Sequence, residues 1–375
     1  MAAPSMADAA LTAGGRVGRY FSIVTMVPTL FLVLWTYLLV KSDAWRAEPN
    51  LAALGVRLAD WSIPQAAWLL LSTFVLALFL HPLQFATVQL LEGYWGTSAV
   101  ALGAMRLGVA RHRGRAQRIR DRLDALDKTI EESFTGHRTY SDDLDDDVLE
   151  EKRDRFLDER DANHVIPLVI ARDALRHRAE RFPDGRRILP TRLGNTLRRY
   201  EDRAGSQYGL DAMTTAPHFL LVVPEAHVAY VRDTRQLLDT TVRLCFVSLL
   251  ATVLTVAALA TDGWWLLIAL VPYGLAYLAY RAAIAAADEY GTAVATVIDV
   301  DRFTLYERLG LRRPRDTHEE RETNAQLMSL LHWEHIEALH YTPAADEKPP
   351  PRGLYRLTRR LRPSVDAPLR QRRSR

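Results

Sequence analysis

Residues 244–280 read LCFVSLLATVLTVAALATDGWWLLIALVPYGLAYLAY and carry one charge, Asp262, near the middle. On either side, Leu244–Thr261 and Gly263–Tyr280 are uncharged stretches of 18 residues each, close to the length a helix needs to cross a bilayer core of roughly 30 Å. In hydrocarbon the backbone must satisfy its own hydrogen bonds, so both arms have to be helical. Thr261-Asp262-Gly263 then forms the tip of a membrane hairpin, and the polar sequence before and after it emerges on one side.

Working outward, the same logic finds a second hairpin near the start of the chain. Phe21–Val40 is a 20-residue apolar run preceded by Arg16 and Arg19. It exceeds the usual signal-peptide core and leads into Lys41-Ser42-Asp43 without a small-x-small cleavage site, which predicts a retained span. Lys41–Trp61 is a 21-residue loop of balanced charge. Ile63–Leu91 follows, with 29 residues free of formal charge, more than a membrane requires at 1.5 Å per residue. In its second half His81, Gln84, Gln89 and Glu92 share one side of a helical wheel. Either this stripe lines a pore, because polar groups at membrane depth face protein or water, or the span ends near His81-Pro82 and an interfacial amphipathic helix follows, anchored by Tyr94 and Trp95.

The arginines set the orientation. Arg106, Arg111, Arg113, Arg115, Arg118, Arg120 and Arg122 crowd just after the second apolar run, and by the positive-inside rule that side is cytoplasmic. Arg16, Arg19, Arg235, Arg243 and Arg281 flank the other inner ends and agree. The expected fold is all-α: four transmembrane helices in two hairpins, both termini cytoplasmic, with a mainly helical cytoplasmic insert and a helical C-terminal extension. The corresponding segments are a cytoplasmic N-terminus (1–19), a first hairpin (20–92), the insert (93–240), a second hairpin (241–287), the extension (288–341) and a Pro/Arg-rich disordered tail (342–375). Only four of the 48 basic residues are lysine, which with the abundant alanine points to a GC-rich bacterial genome, and the spans then imply a plasma-membrane location. Cys245 is the sole cysteine, so an intrachain disulfide and a cysteine metal cage are both excluded.

Within the insert, Ile119, Leu123, Leu126 and Ile130 recur at helical spacing and predict an amphipathic helix over Gln117–Glu132. Ser141–Glu151 holds seven acidic residues. It lacks the glycine and closing glutamate of an EF-hand loop and reads as a solvated acidic helix start. Pro190-Thr191 suits the start of a further helix, on which Arg192, Asn195, Arg198 and Glu201 form a candidate polar cluster. The stretch from Leu189 to Asp211, with this arginine-glycine-asparagine helix and the following Tyr208-Gly209-Leu210-Asp211, resembles uncharacterised actinobacterial multi-pass membrane proteins with a cytoplasmic insert of similar size. Glu92-Gly93-Tyr94-Trp95 and Tyr306–Pro314 share the resemblance. It implies no established activity, and Ala216-Pro217 stands where a Trp-Pro pair is expected.

On the fourth span, Gly274, Ala276, Ala279 and Ala283 give a candidate helix-packing or subunit face, because small residues let helices approach closely in lipid. The helical pattern continues from Arg281 to Leu309, with a stop at Gly310 and Pro314. Thr317 with Glu320 reads as a capping box opening a helix to about His340. His332 and His335 on that helix lack the His-Glu-x-x-His pattern and a third metal ligand. The tail, Arg352–Arg375, carries nine arginines against Asp366, a charge pattern suited to anionic inner-leaflet lipid and short of the stacking aromatics of a nucleic-acid binder.

No Walker loop, dinucleotide fingerprint, serine-hydrolase elbow or kinase signature is present. The spans also lack central acids and bases of the kind that couple transport to ions. The sequence therefore implies no catalytic residue, cofactor or metal. It is read as a non-enzymatic membrane protein acting as a structural or regulatory scaffold, with the bilayer, an unidentified cytoplasmic protein and a second copy of itself as candidate partners. The alternative is an oligomeric ion channel or membrane-permeabilising effector lined by the second span.

Overall fold

The computed structural model of the chain describes residues 25–45, 49, 55, 62–135, 165–335 and 339–341. The N-terminal segment, the acidic stretch 141–151, most of the loop at 41–61 and the arginine-rich tail lie outside the described residues. Among those described, the structure is helical throughout apart from one isolated bridge between Leu311 and Tyr341. In chain order the α-helices are α1 (Val27–Lys41), α2 (Ile63–Leu80), α3 (Gln84–Glu92), α4 (Ala99–Thr135), α5 (Ile166–Ala179), α6 (Arg192–Arg203), α7 (Ala212–Val222), α8 (Glu225–Leu259), α9 (Leu270–Arg308) and α10 (Thr317–Leu331).

The helices α8 and α9 form the spine. Val231 packs with Ala293 and Val297, Leu238 and Val242 with Ala283, Ala286 and Ala287, and Leu259 with Trp265 and Ile268. As one index rises the other falls, so the two run antiparallel around the turn at Asp262. At 35 and 39 residues they extend about 53 and 58 Å, well beyond a bilayer core of roughly 30 Å. Their excess lies at the polar ends, the start of α8 and the end of α9. Three stretches are long and apolar enough to cross a membrane: α2, α8 and the segment Gly263–Arg308. The described part of α1 is a shorter apolar helix of 15 residues.

Against this spine, Leu32 of α1 clusters with Val247 and Ala251, and Leu39 with Ala258 and Leu259. Both indices rise together, so α1 runs parallel to α8, and the Trp35 indole donates to Thr255 Oγ1 at 2.8 Å. Of α2 only Thr73 and Ala77 are buried, which makes it the outermost apolar helix. The 29-residue uncharged run does not form one helix. It breaks after Leu80, because Pro82 has no N–H to continue the ladder and restricts His81 before it, and α3 begins at Gln84.

Proline also shapes the start of the last apolar helix. Pro272 stands in the first turn of α9, and the preceding Gly263–Ala269 winds as a 3-10 helix. A proline there removes the donor that would bond back to residue 268. Trp264 and Trp265 stack at 4.2 Å beside the turn, the amphipathic aromatic type found at membrane interfaces.

The polar ends of α8 and α9 carry the rest. A core of Leu210, Phe219, Ile298, Leu305, Tyr306, Leu311 and Leu327 joins α7 and α10 to the end of α9. Tyr306 is buried, donates to Glu320 Oε1 at 3.1 Å and accepts from Asn324 Nδ2 at 2.7 Å, while Asn324 also donates to the Tyr208 carbonyl at 2.8 Å. Tyr208–Asp211 and Tyr306–Pro314, far apart in sequence, thus close one core. α10 is capped by Asp316, which accepts from the N–H groups of His318 and Glu319, both at 2.9 Å. Thr317 is not the cap, because Glu320 is drawn inward to Arg302 and Tyr306. The helix ends at Leu331, short of the expected His340.

Candidate functional site

The start of α6 is the junction between the apolar helices and the polar ones. Thr191 caps it, accepting from Gly194 N–H at 3.0 Å, and its hydroxyl donates to the Glu92 carbonyl at the end of α3 at 2.7 Å. Asn195 closes the turn below, donating to the Leu189 and Thr191 carbonyls and accepting from Leu189 N–H. Tyr280, where α9 leaves its apolar stretch, accepts through its hydroxyl from the Arg192 and Leu193 N–H groups. Gly194 is required for this contact, since a Cβ there would overlap the Glu92 carbonyl oxygen. Two stretches quoted above for their resemblance, Glu92-Gly93 and Leu193-Gly194-Asn195, therefore meet.

On one flank of this junction the charges are matched. Arg198 pairs with Glu201 at 2.8 Å and Arg235 with Asp239 at 3.2 Å. Arg243, buried, donates to Gln84 Oε1 at 2.7 Å, and Gln84 donates to the Asp239 carbonyl at 3.1 Å. Burial first, then repulsion from Glu201, raises the pKa of the Glu92 carboxyl, with Arg235 and Arg198 opposing. The polar stripe is thereby divided. Gln84 latches α3 to α8, Glu92 faces α6 and α8, Gln89 is half-buried on α3, and His81 sits exposed at the end of α2. Within one copy these residues do not line a shared channel.

On the other flank lies a cavity of about 680 Å³ between α4, α5, the turn at 181–182, α6 and α9. Its lining includes eight arginines: Arg111, Arg115, Arg118 and Arg122 from α4, Arg178 and Arg181 from α5 and the turn after it, Arg192 from α6, and Arg281 from α9. Among the described residues the one lining carboxylate is Asp288, already bound by Arg199. None of the eight forms an ion pair with a described carboxylate. The crowding is felt by the groups themselves. Arg192, followed by partial burial and by Arg111, Arg118 and Arg178, pushes the Arg115 guanidinium below its ordinary value. Burial, then Arg192, Arg115 and Arg111, pushes the His112 imidazole below its ordinary value, disfavouring its charged form.

Of the candidate polar cluster, then, Arg192 and Asn195 line the cavity, while Arg198 and Glu201 pair on the matched flank. The small-residue face divides as well. Ala276, Ala279 and Ala283 are buried within the single chain, Ala283 packed with the α8 residues Leu238 and Val242, whereas Gly274 has open space beside it. The arginine cavity was not foreseen from sequence, although a signal was present. Arg111, Arg115, Arg118 and Arg122 recur at spacings of 4, 3 and 4, which places them on one helical face.

Comparison with protein-family models, with curated proteins and with solved structures yields no match to the chain. Among the described residues no group of three metal-binding side chains gathers.

Proposed function

We propose that the chain is a four-span bacterial plasma-membrane protein, both termini cytoplasmic, that acts without catalysis as a structural or regulatory scaffold. The observation that carries this is the continuity of α8 and α9, which run unbroken from their apolar stretches into polar ends where Val231 of α8 packs with Ala293 and Val297 of α9 and the end of α9 enters the core of the polar helical unit. The cytoplasmic unit is the membrane hairpin's own extension, so whatever binds the unit is rigidly held at the bilayer. The parallel course of α1 and α8 supports an in-to-out first span. The arginine-rich tail supports contact with anionic inner-leaflet lipid.

An oligomeric channel is the second reading, favoured by the exposed flank of α2, on which another copy could sit. The test is the mass of the full-length protein in nanodiscs, followed by ion flux from liposomes made with the same sample. The scaffold reading expects a monomer or dimer and no flux. A ring of several subunits with flux altered by His81→Leu would replace it with the channel.

A further inference from the structure

We infer that the arginine cavity beside the start of α6 is a binding site for a ligand carrying two or more phosphate groups. Acidic residues are not scarce in this chain, which holds 45, and α4 itself carries Asp121, Asp124 and Asp127. Yet among the described residues these eight arginines have no carboxylate partner, while on the other flank, a few residues away on α6, Arg198 pairs with Glu201 and Arg235 with Asp239. Like charges held together around a concavity destabilise the empty state and focus a positive potential into it. Such an arrangement is compensated by an anion. One phosphate carries at most about two charges at pH 7, too few to match guanidinium groups converging from four helices.

The donor type agrees. Guanidinium is a planar fork that matches phosphate oxygens in pairs, unlike the compact ammonium of lysine. A volume of about 680 Å³ falls within the roughly 300–1,000 Å³ of small-molecule sites. Nδ1 of His112, on the cavity wall, is buried without a hydrogen-bond partner, leaving one further polar group for the ligand. Ile119, Leu175, Phe182 and Ile284 supply an apolar part of the lining.

In the proposed topology Arg281 directly follows the last uncharged residue of the fourth span, and Asp288 lies about 10 Å further along α9. That depth is where inner-leaflet headgroups sit, and basic pockets between helices on this side take phosphorylated headgroups. A soluble polyphosphorylated molecule presents the same chemistry, and the experiment separates the two sources. The inference goes beyond the scaffold role and stands apart from it, because an unresponsive cavity would leave the nanodisc mass and flux results unchanged.

Full-length protein in phosphatidylcholine nanodiscs is titrated with inorganic pyrophosphate and tripolyphosphate, and in parallel is placed in nanodiscs containing cardiolipin. The thermal midpoint is read in each, since a ligand that binds only the folded state raises it. A rise in the first arm identifies a soluble source and a rise in the second a headgroup; either supports the site if R115Q/R192Q weakens the apparent affinity about tenfold or more. The pair R106Q/R113Q, on α4 but outside the lining, removes the same charge and should stay within about twofold of the parent protein. R111Q/R178Q, from α4 and α5 of the same lining, provides a second cavity pair should the first fail to fold. No rise in either arm, or an equal loss in R106Q/R113Q, overturns the site.

Discussion

Two flanks of one short helix, α6, treat charge in opposite ways. Toward α3 and α8, arginines and carboxylates are paired, with Arg198 on Glu201, Arg235 on Asp239, and the buried Arg243 held by Gln84. Toward α4 and α5, eight arginines face a cavity whose single carboxylate among the described residues, Asp288, is already taken by Arg199. A matched network within the protein needs nothing more and holds helices together. An unmatched one stores repulsion that folding alone does not relieve, so the first flank is read as structure and the second as a place for a ligand.

The sharpest way to break the structural flank is Gly194→Ala. The new methyl meets backbone, the Glu92 carbonyl, rather than a side chain that can move aside. The loss should lie at or above the upper end of the ~1–3 kcal/mol typical of overpacking, measured as a fall in the unfolding midpoint in detergent. A midpoint within error of the parent protein would show that α6 does not dock on α3 as described. Next in size is Gln84→Leu, which removes one acceptor from a buried guanidinium that also donates to the Leu80 carbonyl. Hydrogen bonds to charged groups contribute about 1.5–3 kcal/mol, and an unchanged midpoint would mean that the latch adds nothing.

The binding flank should respond with the opposite sign. Arg115→Gln removes one like charge from an uncompensated set, so the ligand-free protein should gain up to about 1 kcal/mol while its response to polyphosphate weakens. A destabilised ligand-free variant would show that Arg115 has an internal partner. The smallest effect is at Glu92. Its carboxyl pKa is raised by burial and by Glu201, so the folded protein holds that proton more tightly than the unfolded chain. The group's contribution to stability is therefore greatest below the unfolded value of about 4.5 and is lost as pH rises through the higher folded value. Glu92→Gln should exceed the parent protein in stability at pH 7, with the difference closing on acidification. A gap that widens toward low pH would contradict the assignment.

Much of this was legible in sequence because charge spacing and apolar run length report directly on helices. The turn at Asp262 and the helix start at Thr191 both follow from local rules. What escaped depended on where faces point. Counting arginines near 106–122 assigned a membrane side, but only the packing of α5, α6 and α9 against α4 shows that four of them converge on one cavity. Small residues at Ala279 and Ala283 are equally suited to a neighbour in the same chain or in another copy, and the structure supplies the intramolecular neighbour. His81, Gln84, Gln89 and Glu92 share a wheel only if the helix is continuous, and Pro82 ends that continuity. Capping at residue 316 rather than 317 turned on Glu320, whose partners Arg302 and Tyr306 come from a distant helix.

We propose a membrane hairpin whose turn is outside and whose helices continue into a cytoplasmic unit. It is tested most directly by thiol labelling of intact cells with a membrane-impermeant reagent, in a background where Cys245 is replaced by alanine. Thr261→Cys at the turn should label in intact cells, and Ser206→Cys, on the exposed surface after α6, only after permeabilisation. Labelling of Ser206→Cys in intact cells, or protection of Thr261→Cys, would contradict the topology and detach the arginine cavity from the inner leaflet.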